Sequence, residues 1–192
     1  METGTSISLV KGQKIDLSKD APSLTKASLG LGWDTNSSGG AAFDLDASAF
    51  MLGANGKITN EKDFVYFKNL LSGCQSVKHT GDNLTGAGDG DDEVINVELD
   101  KVPAAIEQIV FVVNIYQAAE RGQNFGQVKN AFIRLFDTNT KQEVLKYDLS
   151  EDFSTATGVL FGRLYRHNGV WKFEASGVGE NGGLQAFLTK YQ

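Results

Sequence analysis

This 192-residue chain is predicted to be all-β: a β-sandwich of about ten short, mostly antiparallel strands with minor helical segments. Three observations carry that expectation. Glycine is abundant at 22 residues while proline is scarce at two, which points to many tight turns rather than to collagen or disorder. Short apolar alternations recur along the chain with turn signals between them. Long helical patterns of the kind that would make an alternating strand–helix fold are missing. With 41% hydrophobic residues, and neither a linker nor a repeat, a single domain over residues 1–192 is expected.

The elements follow in order. Ser6 to Val10 and Lys14 to Leu17 are short alternations, and Ala27 to Trp33 is a strand whose glycines suggest a close backbone approach or a bulge. Ala42 to Leu52 sets Phe43, Leu45, Ala47 and Ala49 on one face against Asp44, Asp46 and Ser48 on the other, the period of two of a half-buried strand. Asn55-Gly56 marks a turn. Phe64 to Phe67 and Ser76 to His79 come next, then an acidic loop, then Val94 to Leu99, which Val102-Pro103 ends. Ile109 to Tyr116 is apolar on both faces, as a central strand would be. Ala131 to Asp137 and Glu143 to Tyr147 flank the Thr138-Asn139-Thr140 turn. Val159 to Arg166 and Val170 to Ala175 form a hairpin around His167-Asn168-Gly169, and Leu184 to Tyr191 reads as a short amphipathic helix.

The formal charge of −6 lacks the basic stripe that phosphate-backbone binding requires, which argues against a nucleic-acid partner. The acidity is local. Between Lys78 and Lys101 there is no lysine or arginine, while Asp82, Asp89, Asp91, Asp92, Glu93, Glu98 and Asp100 are all acidic, so the rest of the chain is close to neutral. No apolar run approaches the roughly 18 residues of a membrane-spanning helix. No secretory signal is visible, and the single cysteine, Cys74, excludes an intrachain disulfide and fits a reducing compartment. A soluble, cytoplasmic chain is therefore expected, with no insertion into a membrane.

The chemistry concentrates in two acidic segments. Asp44 and Asp46 are two apart on a strand, so their carboxylates leave one face roughly 7 Å apart and repel unless a positive charge intervenes. The loop Gly81 to Glu93 adds short carboxylates on a glycine-rich backbone that can bend around an ion. Hard oxygen donors without histidine or thiol suit Ca²⁺, which accepts six to eight oxygens in irregular geometry. Asp44, Asp46, Asp82, Asp91, Asp92 and Glu93 are the candidate ligands. The loop fits neither an EF-hand nor a repeated calcium nonapeptide, and its spacing alone is equally that of solvated acidic loops.

The alternative is a metal-dependent phosphoesterase, against which stands the lack of a nearby Lys, Arg or His in sequence to neutralise a phosphate. No phosphate loop, nucleophile elbow or zinc spacing is present, and both His79 and His167 read as surface or turn residues. No enzymatic activity is expected. One cysteine cannot complete an internal dithiol cycle, so redox chemistry on an oxyanion is not expected either. Arg121 to Gly126, RGQNFG, reads either as a recognition loop or as a connection whose amides satisfy nearby backbone, and Trp33 and Trp171 read as core or sandwich-edge residues.

GLGWD (Gly30 to Asp34), FDLDASAFML (Phe43 to Leu52), GDNLTGAGDGDDE (Gly81 to Glu93), RGQNFGQVKNAFIRLFD (Arg121 to Asp137) and LYRHNGVWKFEASGVG (Leu164 to Gly179) together resemble the TerD family of bacterial tellurite-resistance and general-stress proteins, in order and over almost the whole chain. That resemblance implies a calcium-binding β-sandwich acting in the stress response as an ordered interaction module rather than a catalyst. It also implies two bound Ca²⁺ ions, and as partners other tellurite-resistance or stress proteins, membrane-associated ones among them. A cyclic-nucleotide ligand is a further alternative. Carried over position by position, the metal residues are Asp34, Asp44, Asp46, Asp82, Asn83, Asp91, Asp92 and Glu93, with Asp89 ranked below them. Asn114 and Gln117 stand where relatives carry Thr and Asp.

Overall fold

The computed structural model describes residues 12–88, 90–149 and 153–192, together with the backbone of Ile7–Ser8. Its strands are β1 (Ile7–Ser8), β2 (Lys14–Ile15), β3 (Lys26–Gly32), β4 (Leu45–Leu52), β5 (Phe64–Val65) and β6 (Val77–His79), then β7 (Glu93–Glu98), β8 (Gln108–Ile115), β9 (Phe132–Asp137), β10 (Glu143–Asp148), β11 (Gly158–His167) and β12 (Val170–Glu180). Each of the twelve described strands falls on a segment read as a strand from the sequence, with β1, β2 and β5 shortened to two-residue edge pieces. Helices are short: α1 (Leu17–Asp20), α2 (Ala118–Arg121) and α3 (Gly183–Tyr191).

Two six-stranded sheets stack face to face. The first runs β1-β10-β9-β3-β7-β6 and the second β2-β12-β11-β8-β4-β5. Every pairing is antiparallel except β1 with β10, which is parallel. The inward faces contribute one contiguous core, in which Leu29, Leu31, Ile95, Ile133 and Leu135 of the first sheet meet Ala47, Met51, Phe111, Phe161 and Phe173 of the second. Fully burying each large apolar side chain there stabilises the fold by about 1.5–3 kcal/mol.

The hairpin between β11 and β12 closes as expected. Asn168 (φ 52°) and Gly169 (φ 79°) are both left-handed, the pair of positive dihedrals that a two-residue turn between right-twisting strands requires.

β4 departs from the half-buried expectation, because all eight of its residues are buried. Its inward positions join the core. Outward, Phe50 and Leu52 pack with Val110 and Val112 of β8 under Phe187 and Tyr191 of α3, in a second apolar cluster. The terminal helix therefore roofs the far half of the second sheet's outer face. The near half of that face carries Asp46, Ser48 and Asn114.

Candidate functional site

Asp44 immediately precedes β4 and Asp46 lies on it, so the register of β4 positions both. Tyr116 N–H donates to the Asp44 carbonyl at 2.8 Å, and Asp46 stands directly opposite Asn114 on β8. The Asn114 amide Nδ2 donates to Asp46 Oδ2 at 3.0 Å. From the acidic loop, Asp82 completes a group in which Asp44, Asp46 and Asp82 each offer a carboxylate oxygen, all within 4.8 Å of one another. Asp44 and Asp46 are buried and Asp82 is exposed, so the group reaches solvent on the side of Asp82.

Glu93 opens β7 in the opposite sheet and is 1% exposed. β5 is too short to pair with the start of β4, and the Glu93 carboxylate takes over that edge. Its Oε2 accepts from Ala47 N–H at 2.7 Å and from His79 Nε2 at 3.2 Å, and its Oε1 accepts from Asn83 N–H at 3.3 Å. His79 Nδ1 accepts from Gly81 N–H, which leaves the Nε2 proton for Glu93. Glu93 thus ties the two sheets and the acidic loop together behind the carboxylates. His79 is buried on β6, in contrast to the surface or turn position expected of it.

Burial raises the Asp46 pKa to about 8, helped by the nearby negative charges of Glu93 and Asp44. Asp44 is also raised by burial, with the Arg121 guanidinium opposing the shift. Burial pushes Glu93 in the same direction. Arg121 Nη1 lies 3.5 Å from Asp44 Oδ2 and is the one cation among the described residues in ion-pair range of the three aspartates. No Lys, Arg or His stands beside these acids in sequence, but tertiary folding brings Arg121 beside Asp44 and His79 beside Glu93.

Two buried oxygens at this point have no hydrogen-bond partner among the described residues: Asp44 Oδ1 and Asn114 Oδ1. Ser48 Oγ, two residues along β4 from Asp46, is a third such atom. Buried polar atoms are nearly always paired, so a concentration of unpaired acceptors beside converging carboxylates fits a hard cation. In the sequence Asn114 stands out only as a departure from the TerD pattern. Its place opposite Asp46 follows from strand register, which local sequence does not disclose.

The remaining candidates lie elsewhere. Asp91 sits on the outer face of the first sheet, where Arg134 of β9 grips it with Nε and Nη2, both at 2.8 Å. A Cβ at Gly30 of β3 would collide with the Asp91 carboxyl, so the glycine is what lets the acid lie flat on the sheet. Asp92 accepts from Trp33 N–H at 2.9 Å and from Asn83 Nδ2 at 2.8 Å, pinning the loop to the end of β3. Asn83 Oδ1 in turn accepts from the backbones of Thr85 and Gly86. Asp34 accepts from Asn130 Nδ2 at 2.7 Å and lines a separate cleft of about 760 Å³ with Trp33, Lys129 and Phe132. Asp89 lies outside the described residues.

From Gln123 to Gly126 the RGQNFG segment is a connection whose amides cap nearby backbone, with Gln123 Oε1 left buried and without a partner among the described residues. Gln123 Nε2 donates to the carbonyls of Ala41 and Ala42, Asn124 and Gln127 cap each other across one turn, and Phe125 is fully buried. Trp33 is a core residue whose Nε1 donates to Phe43 O, and Trp171 packs half-buried against the core edge. No helix among the described residues is long and apolar enough to cross a membrane.

A two-sheet sandwich with a cluster of three aspartates where β4 and the loop before β7 meet is the class of protein the fold and site describe. The chain belongs to the TerD domain family, which matches residues 5–191. It is similar to the tellurium resistance protein TerD of an Alcaligenes species, 54% identical over 186 residues and covering 97% of each chain. General stress protein 16U of Bacillus subtilis (strain 168) is also 54% identical, covering 96% of each. In fold the chain resembles the crystal structure of a telluride-resistance (TerD) homologue from Streptomyces coelicolor A3(2), with a TM-score of 0.74 at 21% identity over 85% of this chain and 95% of that one. The family is one of tellurium-resistance and stress proteins.

Proposed function

We propose that this chain is a calcium-binding stress-response protein associated with tellurite resistance, in which the ion orders an interaction surface and no reaction is catalysed. One observation carries the reading: Asp44, Asp46 and Asp82 converge within 4.8 Å beside the unpaired buried oxygens Asp44 Oδ1 and Asn114 Oδ1. An all-oxygen donor set of this kind suits Ca²⁺ better than a softer metal. Asp44, Asp46 and Asp82 would hold the ion directly. Glu93, whose oxygens already accept three hydrogen bonds, would back the site, so that calcium and the loop are coupled through Asn83.

The second expected ion falls to Asp34 and Asp92, the pair of acids beside Trp33. Asp91, clasped by Arg134, supports the loop instead of binding. The surface so ordered is that of the acidic loop, and its partners are other tellurite-resistance or stress proteins in the cytoplasm, some of them membrane-associated.

The test is thermal unfolding of the full chain in millimolar calcium and in chelator, paired with calorimetric titration. A ligand that binds only the folded state at 100 times its Kd stabilises by about 2.7 kcal/mol, so a midpoint several degrees higher in calcium is expected. Identical midpoints with no heat of binding sink the proposal.

A further inference from the structure

Arg121 is the last residue of the single-turn helix α2, which follows β8 almost directly. The turn carries its guanidinium back over the Tyr116 ring, 5.4 Å from the ring centre, and toward Asp44. The contact there is weak in form. One nitrogen reaches one carboxylate oxygen at 3.5 Å, and Nη2 is spent on Gln117 of the same turn at 3.3 Å. Elsewhere Arg134 holds Asp91 in a fork, Nε to Oδ1 and Nη2 to Oδ2, both at 2.8 Å, while Arg163 sets Nε and Nη2 on one oxygen of Glu174 at 3.2 and 2.8 Å. Forked contacts are the strong, geometrically specified ones. Arg121 is also the sole cation within ion-pair range of the three converging aspartates among the described residues.

We propose that Arg121 is a resident counter-cation of the acidic site: it neutralises Asp44 through a replaceable contact, and a divalent cation seated among Asp44, Asp46 and Asp82 displaces it toward solvent beside Tyr116. This rests on the cation-binding reading above and adds its regulation. Two features support displacement over shared occupancy. A divalent ion and a guanidinium repel one another in a low-dielectric site. The Arg121 side chain is already one quarter exposed, so its route outward is open. Occupancy of the site would then be read on the surface as the release of one arginine, and that guanidinium becomes available to an anionic group.

The consequence has an unusual sign: deleting a residue that touches the site should tighten the site. Calcium titration calorimetry on the full chain compares the natural sequence with Arg121→Gln and with Lys19→Gln. The latter makes the same charge change on α1, which packs at the opposite edge of the second sheet. Arg121→Gln should bind calcium about fivefold more tightly or better, since removal of roughly 1 kcal/mol of repulsion has that effect, while Lys19→Gln stays near the natural value. Equal or weaker binding by Arg121→Gln overturns the proposal, as does an equal gain in both variants, which marks only the overall field. If the natural chain binds no calcium but Arg121→Gln does, the counter-cation role is upheld in stronger form; if neither binds, the metal reading itself has failed. Should Arg121→Gln not fold, the side-chain Nε resonance of Arg121 in the natural chain decides. It should shift and exchange faster with solvent on calcium saturation, and an unmoved resonance refutes displacement.

Discussion

Asp91 is a half-buried carboxylate and Asp46 a buried one, and their surroundings are opposite. Asp91 lies on the open outer face of the first sheet, with a glycine beneath it and a two-pronged arginine beside it. Asp46 lies on the outer face of the second sheet, with an amide as its neighbour, two further aspartates within 4.8 Å and the buried Glu93 raising its pKa. In the first region the chain supplies the counter-charge, and the acid contributes to structure. In the second it supplies too little, and the acids are left to a ligand or to protons. Local density of negative charge does not separate structural acids from binding acids. What separates them is whether the fold completes their neutralisation.

The largest expected break of that contrast is Asp46→Asn. Calcium affinity should fall about 100-fold, some 2.7 kcal/mol, while stability in chelator at pH 8 rises by about 1–3 kcal/mol because a buried, poorly compensated charge is gone. Calorimetry and denaturant unfolding read the two effects separately. A variant that lost stability in chelator would mean that Asp46 is structurally paired after all.

Proton linkage sharpens the same contrast. The Asp46 carboxyl titrates near pH 8 in the folded chain, above the ordinary carboxylate value of the unfolded one. Between about pH 4 and pH 8 the folded chain therefore holds a proton that the unfolded chain has released. In chelator, this group's contribution to stability is full below pH 4, declines by up to about 1.4 kcal/mol per unit as pH rises, and levels off above 8. Asp44, Glu93 and Asp92, also raised by burial, add slopes of the same sign. The difference between the natural chain and Asp46→Asn isolates the Asp46 part, and unfolding at a series of pH values measures it.

On the other side, Arg134→Ala should cost about 1–2 kcal/mol, because it strands the mostly buried Asp91 carboxylate, with calcium affinity changed less than twofold. A large loss of calcium binding in this variant would place Asp91 among the ligands. Smallest is Asn83→Ala, which removes a link to Asp92 and the acceptor for the loop backbone. About 1 kcal/mol of stability should go, together with faster amide exchange confined to residues 83–88.

Much of this was legible in the linear chain. Period-two alternation and glycine-rich turns located β3, β7, β8, β9 and the β11–β12 hairpin to within a residue or two at most ends, because those signals are local. The acids at Asp44, Asp46 and Asp82 were equally visible as a chemical type. Their partners were not. Arg121, His79 and Asn114 lie from 14 to 77 residues away from the acids they meet, and nothing in their neighbours marks them. β4 reads as half-buried in sequence for a related reason, since α3, which covers part of its outer face, comes more than 130 residues later.

Sequence by itself determined the strands, the turns and the concentration of hard oxygen donors, all set by steric preference and side-chain chemistry over a few residues. Only the tertiary structure decided which carboxylates meet a cation of their own chain and which are left converging. Ionic neutralisation acts over a few ångströms in space, and strand register together with sheet stacking brings residues distant in sequence within that reach.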